Sequence, residues 1–306
     1  MNDSKRGKGS VAIFGASGHT GRFVVDELER RGLQMIRIGR DAAKLAAVDG
    51  ASRHPARVAS IDEPSSLDTA LAGANAVINC AGPFIDTAIP VIDAALRAGI
   101  PYFDVCAEQA TVQSIFDMRH DTAVRAGVPV FPAAAFYGGL ADLLATAAAG
   151  GAGQIDDIAV AVGLDSWFPT TGTRITGQRN TAPRLLWRHG RLEPVPTPAP
   201  EGRWEFAQPL GSREVMMLPF SETIMLASHL DADRIASWIN VEPIRDIRDA
   251  KTPAPVPAAE LGRSNQLFIL DVVVSAAGTR RRATASGRDI YQVTAPIIVE
   301  AVQRFL

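Results

Sequence analysis

The residues best placed to do chemistry are three glycines, Gly15, Gly18 and Gly21, which follow the apolar run Val11, Ala12, Ile13 and Phe14. A strand that enters such a turn and leaves it as a helix can grip a diphosphate. The early glycines let the backbone turn tightly and approach the phosphates. The last one lets the helix lie close to the sheet, and the unpaired N–H groups at the helix start face the anion. Ser17, His19 and Thr20 complete the turn, and His19 serves its backbone geometry. The more common G-x-G-x-x-G spacing would put glycine at position 16, where Ala16 stands.

About 20 residues further on, a dinucleotide site for NAD usually carries an acidic side chain that bonds the ribose hydroxyls. Gly39 and Arg40 stand there instead. A guanidinium suits a 2′-phosphate in charge and in fork geometry. Lys44, one helical turn on, adds a second cation. These residues point to NADP (NADPH) as cofactor. The alternative is that Arg40 and Lys44 are solvated charges paired with Asp41. Asp62, after the third strand, either lines the adenine or starts the helix before Pro64. Cys80, Ala81, Gly82 and Pro83 follow the fourth strand in a loop that would pass under the nicotinamide ribose. Phe84 would face the substrate. As a nucleophile Cys80 is disfavoured, because a buried strand cysteine behaves as a small hydrophobe.

Hydride transfer to a carbonyl usually needs a proton donor as well. A tyrosine–lysine pair spaced four apart is one solution. Here Tyr102, Tyr137 and Tyr291 are followed four residues on by Cys106, Ala141 and Ala295, so that pair is absent. An imine or an activated double bond fits this gap better. Tyr137 is the candidate donor, or else an aromatic at a domain junction. Glu108, Arg174, Arg179 and His229 are candidate substrate contacts. Either arginine could clamp a carboxylate. Their alternatives are a helix-start carboxylate, solvated surface arginines and a structural histidine. No His, Asp or Glu cluster has metal spacing, so no metal is expected.

These residues need a scaffold. Short apolar strands are expected at 11–14, 35–38, 57–61, 76–79, 102–105 and 129–131. Helical stretches at 22–31, 42–48, 65–71, 89–98 and 114–126 fall between them. That alternation predicts an α/β fold, a doubly wound parallel (Rossmann) sheet. After residue 140 the pattern changes. A helix over 141–149, a strand over 158–164, a strand-like run before His229 and strands at 267–275 and 279–286 suggest a mixed α+β domain built of hairpins. Ten of the 20 prolines crowd into residues 194–257, and 195–200 reads as an extended loop. The expected division is a dinucleotide-binding domain over 1–138, a substrate or oligomerisation domain over 139–286, and a terminal helix over 287–306 that packs back on the first domain. The strand over 267–274 reads as a sheet edge that could pair in a homodimer.

Composition bounds the rest. The chain has 306 residues, 47% hydrophobic and 21% charged, an ordinary globular mix. Its 31 basic and 33 acidic residues give a formal charge of −2, with no electrostatic footprint for nucleic acid or an anionic membrane. No stretch of about 18 uninterrupted apolar residues is present, so no transmembrane helix is expected. The first ten residues carry no apolar run of signal-peptide length. Two cysteines, Cys80 and Cys106, cannot make a disulfide framework, and the expected compartment is the cytoplasm.

The segments around Gly15, Gly18 and Gly21, around Gly39 and Arg40, from Asn79 to Phe84 and from Gly99 to Asp104 resemble the saccharopine dehydrogenase-like proteins. So, more loosely, do Gly172 and Thr173, the run from Trp187 to Pro196, Leu218 to Phe220, and Gly287 to Tyr291. These proteins include saccharopine reductases and trans-acting enoyl reductases. The resemblance implies an NAD(P)-dependent oxidoreductase whose last helix packs on the cofactor domain. The expected activity is NADPH-dependent hydride transfer to a small organic substrate, an imine or an activated C=C or C=O, bound between two lobes. The alternative is a non-catalytic NADP(H)-binding sensor or regulatory protein.

Overall fold

The computed structural model describes residues 9–48, 53–257 and 262–306. The charged segment before residue 9 lies outside them. The chain forms two compact units. The first takes in residues up to Cys106, then Gln113–Ala135 and Thr294–Leu306; the second takes in Ala107–Val112 and Phe136–Val293.

In the first unit β1 (Ser10–Phe14), β2 (Gln34–Gly39), β3 (Ala56–Val58), β4 (Ala76–Asn79), β5 (Tyr102–Asp104) and β6 (Val130–Phe131) form one sheet. Every pairing is parallel, in the order β3-β2-β1-β4-β5-β6. This is the Rossmann order, with its switch point between β1 and β4. Val11, Ile13, Val77 and Ile78 are wholly buried, as central parallel strands covered on both faces require. The connecting helices are α1 (His19–Arg30), α2 (Ala42–Ala46), α3 (Pro64–Leu71), α4 (Phe84–Ala98) and α5 (Gln109–Ala126).

Three of these helices start earlier than apolar spacing predicts. α1 begins at His19 because the glycine turn feeds directly into it. α4 begins at Phe84, behind Pro83, and carries Pro90 inside the helix. α5 begins at Gln109, whose side chain both donates to and accepts from the Leu185 backbone, at 2.8 and 2.9 Å. That partner lies 76 residues away and leaves no local signal.

The second unit opens with a π-helical turn, Phe136–Leu140, and α6 (Ala141–Ala149). It continues with β7 (Ile155–Leu164), α7 (Thr171–Arg179), β8 (Leu185–Arg188), β9 (Arg191–Pro194), β10 (Glu201–Glu205), β11 (Ser212–Met217), α8 (Glu222–Ala227), β12 (Ala232–Asn240), α9 (Val241–Arg248), β13 (Leu267–Ala276) and β14 (Thr279–Arg288). The sheet runs β10-β11-β12-β7-β13-β14, with β8 and β9 branching from β12. Hairpins dominate, yet β7 and β12 pair in parallel, which a hairpin-only reading omits. The run before His229 is the helix α8 and not a strand.

β13 is not an edge. It is bonded to β7 on one side and β14 on the other, and its middle residues are buried. A strand apolar on both faces belongs inside a sheet. The edge falls to β14, whose Arg280, Arg281, Arg282 and Arg288 discourage pairing with another strand.

The last helix, α10 (Thr294–Phe305), belongs to the first unit. Arg31, just past α1, donates to Glu300, to Gln303 and to the Pro296 carbonyl. Phe305 meets Phe103 and Phe131 edge-on, at 6.4 and 6.0 Å. Among the described residues no helix is long and apolar enough to cross a membrane.

Candidate functional site

The elbow after β1 is built from backbone. The Gly15 and Ala16 amides donate to the Ile38 carbonyl at the end of β2, at 2.8 and 3.1 Å. Gly15 has φ +85°, which favours glycine. A Cβ there would stand 2.9 Å from the Ala81 nitrogen and Cβ, so the loops after β1 and β4 touch at this point. A Cβ on Gly21 would overlap the Gly15 carbonyl oxygen. Gly18 caps α1 in an extended conformation, without a side-chain cap. The start of the helix is therefore backbone alone, with no capping side chain, the form an anion site takes. Ser17, His19 and Thr20 are half-buried around this turn.

The loop after β4 is held by a buried network. Asn79 donates to the Thr87 hydroxyl and the Tyr102 phenol oxygen, both at 3.2 Å, and its carbonyl accepts from the Ala81 amide. Thr87 donates to the Ala81 carbonyl at 2.6 Å, and Tyr102 donates to Asp104 at 2.8 Å. Asp104 also accepts from the Cys106 and Ala133 amides. One carboxylate thus ties the end of β5 to that of β6, and Tyr102 links it to Asn79 at the end of β4. Burial and the Asp104 charge push the Cys80 thiol far above its ordinary value, so it is no thiolate nucleophile. Gly82 is exposed, Pro83 caps α4, and Phe84 is buried as its first residue.

Arg40 follows β2 and is exposed, with no hydrogen bond or ion pair of its side chain among the described residues. Its neighbour Asp41 caps α2 and pairs with Lys44 at 3.8 Å. The two cations therefore separate: Arg40 is free to meet a phosphate, while Lys44 is occupied. Asp62 is exposed and bonded to Ser60. The glycine cradle, the uncapped start of α1 and the free Arg40 fit a phosphorylated dinucleotide.

The second unit holds a different cluster. Tyr137 sits on the π-helical turn, a form often found at functional sites. Its ring stacks on Phe220 at 4.3 Å and lies 6.3 Å from Trp167. Its hydroxyl is buried with no hydrogen-bond partner. The Arg184 guanidinium lies 5.0 Å over the Phe220 ring and donates to the Pro219 carbonyl. Glu222, 2% exposed, accepts from the Phe220 amide at 2.9 Å. Burial raises its carboxyl, against the pull of Ser237, the Phe220 amide and Arg184. Burial, with the charges of Tyr291 and Glu222, likewise pushes the Tyr137 phenol up. Glu108, 4% exposed, acts electrostatically on Arg184.

Tyr137 and Glu108 thus share one cluster with Arg184 and Glu222, which sequence reasoning missed. The signal was the Leu218–Phe220 motif, which adjoins both. Arg174, Arg179 and His229 are not brought into it by any described contact. Arg174 directs its Nη2 to the carbonyls of Asp249 and Thr252, so it braces a loop rather than standing open as a carboxylate clamp. Arg179 is exposed at the end of α7. His229 pairs with Asp142 at 2.9 Å. No group of three or more His, Cys, Asp or Glu among the described residues could hold a metal ion.

Residues 11–130 match the family of the saccharopine dehydrogenase NADP binding domain. A mouse saccharopine dehydrogenase-like oxidoreductase is 30% identical over 152 residues, 44% of this chain and 35% of that protein. A trans-acting enoyl reductase of Mycobacterium bovis is 25% identical over 133 residues, 41% of this chain and 32% of that protein. The chain therefore spans about a third of the length of the curated relatives it matches. Apo saccharopine dehydrogenase (L-Glu forming) from Saccharomyces cerevisiae superposes with a TM-score of 0.63 at 13% identity, covering 96% of this chain and 90% of that one, which is a likeness of fold. Over residues 11–130 this chain is thus similar to the saccharopine dehydrogenase-like NADP-binding proteins.

Proposed function

We propose that this protein is an NADPH-dependent reductase of a small organic compound. The observation that carries the reading is the Gly15–Gly21 elbow at the switch point of a Rossmann sheet, with Arg40 at the end of β2 exposed and unpaired among the described residues. Gly15, Gly18, Gly21 and the first amides of α1 would hold the diphosphate. Arg40 would hold the 2′-phosphate, and the loop from Cys80 to Pro83 would meet the nicotinamide ribose. When bound, the nicotinamide supplies the hydride. The buried network around Asn79 and Asp104 keeps the receiving loops rigid, so binding orders little of the protein.

Titration calorimetry with NADP, NADPH, NAD and NADH tests the cofactor. Heat with the phosphorylated pair, and much less with the other, is expected. NADPH oxidation against a panel of imines, enals and ketones tests the reaction. Binding without turnover on any of them would make the protein a sensor of the cofactor. No heat with any dinucleotide would overturn the reading altogether.

A further inference from the structure

We infer that Thr87 is a positioning residue for the bound dinucleotide. From the first turn of α4 its hydroxyl fixes the loop after β4 against the glycine elbow, and so sets the spacing between the diphosphate and the nicotinamide ribose. This role deepens the dinucleotide reading and rests on it.

Ala81, in the middle of that loop, is held on three sides. The Asn79 side-chain oxygen accepts from its amide at 3.0 Å, and the Thr87 hydroxyl donates to its carbonyl at 2.6 Å. On the third side stands Gly15, where even a methyl group would come within 2.9 Å of the Ala81 nitrogen and Cβ. Both polar backbone groups of Ala81 are thus turned into the protein. Gly82, next along, is exposed, and its amide makes no hydrogen bond among the described residues. A ligand at this loop therefore meets the backbone of Gly82, in a position that Ala81 sets.

The direction of these bonds is fixed from one end. Asp104, wholly buried, accepts from the Cys106 and Ala133 amides and from the Tyr102 hydroxyl. An ionised carboxylate only accepts, so Tyr102 donates its one proton there and accepts from Asn79. That settles which way the Asn79 amide faces, with its nitrogen toward Tyr102 and Thr87 and its oxygen toward the Ala81 amide. Thr87 accepts from Asn79 and keeps its own proton for the Ala81 carbonyl. Pro83 caps α4 without a side-chain bond, so the Thr87 hydroxyl links that helix to the loop. Removing it strands the Ala81 carbonyl and one Asn79 N–H at once, and members of a buried network lose more together than singly.

Calorimetry on the full chain with two probes tests this role. One is NADPH; the other is adenosine 2′,5′-bisphosphate, which keeps the 2′-phosphate end and lacks the nicotinamide ribose. Thr87→Val, close to threonine in shape, should weaken NADPH by roughly 3- to 10-fold and leave the adenosine probe within about twofold. Thr87→Ser keeps the hydroxyl and should return NADPH to within about twofold of the parent. A merely structural role would lower stability and move both probes together or neither. Should the valine variant fail to fold, Thr87→Ala, which admits a water to the stranded groups, carries the same comparison. Equal loss of both probes, unchanged NADPH affinity without the hydroxyl, or no recovery in Thr87→Ser would overturn the inference and leave the dinucleotide reading standing. A parent that binds neither probe would sink that reading, and the role of Thr87 with it.

Discussion

Gly21 and Gly15 meet across the turn so closely that a methyl group on the first would occupy the place of the carbonyl oxygen of the second. The obstacle is backbone, which cannot swing aside as a flexible side chain can. Gly21→Ala should therefore displace α1 from β1, costing roughly 1–3 kcal/mol of stability, as overpacking does. Dinucleotide binding should weaken more than the fold does, because the amides of α1 move with the helix. At Gly18 the same methyl would lie 3.2 Å from that oxygen, a distance a small shift relieves. Urea titrations and calorimetry on both variants should rank Gly21→Ala well below Gly18→Ala.

Arg40 and Lys44 look equivalent in the sequence and are not equivalent in the fold. Lys44 already faces Asp41, while Arg40 faces solvent. Charge-assisted bonds to a phosphate contribute roughly 1.5–3 kcal/mol, so Arg40→Ala should weaken NADPH by roughly 10- to 100-fold and NADH hardly at all. Lys44→Ala should change the ratio by less than about threefold, in line with an exposed, occupied cation. Calorimetric dissociation constants for both cofactors check it. Equal losses of NADPH and NADH on Arg40→Ala would remove Arg40 from the 2′-phosphate.

The parts of this protein that were legible in its sequence are those in which local chemistry and fold coincide. The glycines at 15 and 21 mark a turn because no other residue fits there, and buried parallel strands such as β1 and β4 show as short apolar runs. What stayed hidden depends on distant partners. Gln109 starts α5 by binding Leu185, and β13 lies inside its sheet only because β7 and β14 flank it. Arg184 and Glu222 carry no motif of their own. Glu222 is polar in sequence and buried in the fold, Arg184 is half-buried, and only the convergence on Phe220 shows why.

Glu27 joins α1 to its own end. Its carboxylate accepts from Arg30 and Arg31, and Arg31 reaches on to Glu300 of α10. The hydrogen bond from Arg30 is the chief reason the Glu27 carboxyl lies below its ordinary value, opposed by partial burial and helped by Arg31. A lowered carboxyl stabilises the fold above its unfolded value, about 4.3, and that contribution disappears as the pH falls through the lower folded value. Glu27→Gln should thus be less stable than the parent at pH 7 and equal to it in strong acid. Arg31→Ala should lower the melting temperature by roughly 2–4 °C, by freeing α10 as well. Thermal melts between pH 3 and 7 check both, and a difference constant with pH would show that the charge on Glu27 plays no part.

Glu222 has the opposite sign. Its carboxyl is raised, first by burial, with Ser237, the Phe220 amide and Arg184 pulling it back. Between the unfolded value, about 4.3, and the higher folded one, the native state binds more protons than the unfolded chain. Stability from this group therefore falls as the pH rises through that window, and the full cost is present above the folded value. Glu222→Gln keeps an acceptor for the Phe220 amide and removes the ionisation. It should match the parent near pH 4, then grow progressively more stable than it toward pH 8. Urea denaturation at several pH values gives the curve directly. A parent that gained on the variant with rising pH would mean that Arg184 holds Glu222 as a carboxylate.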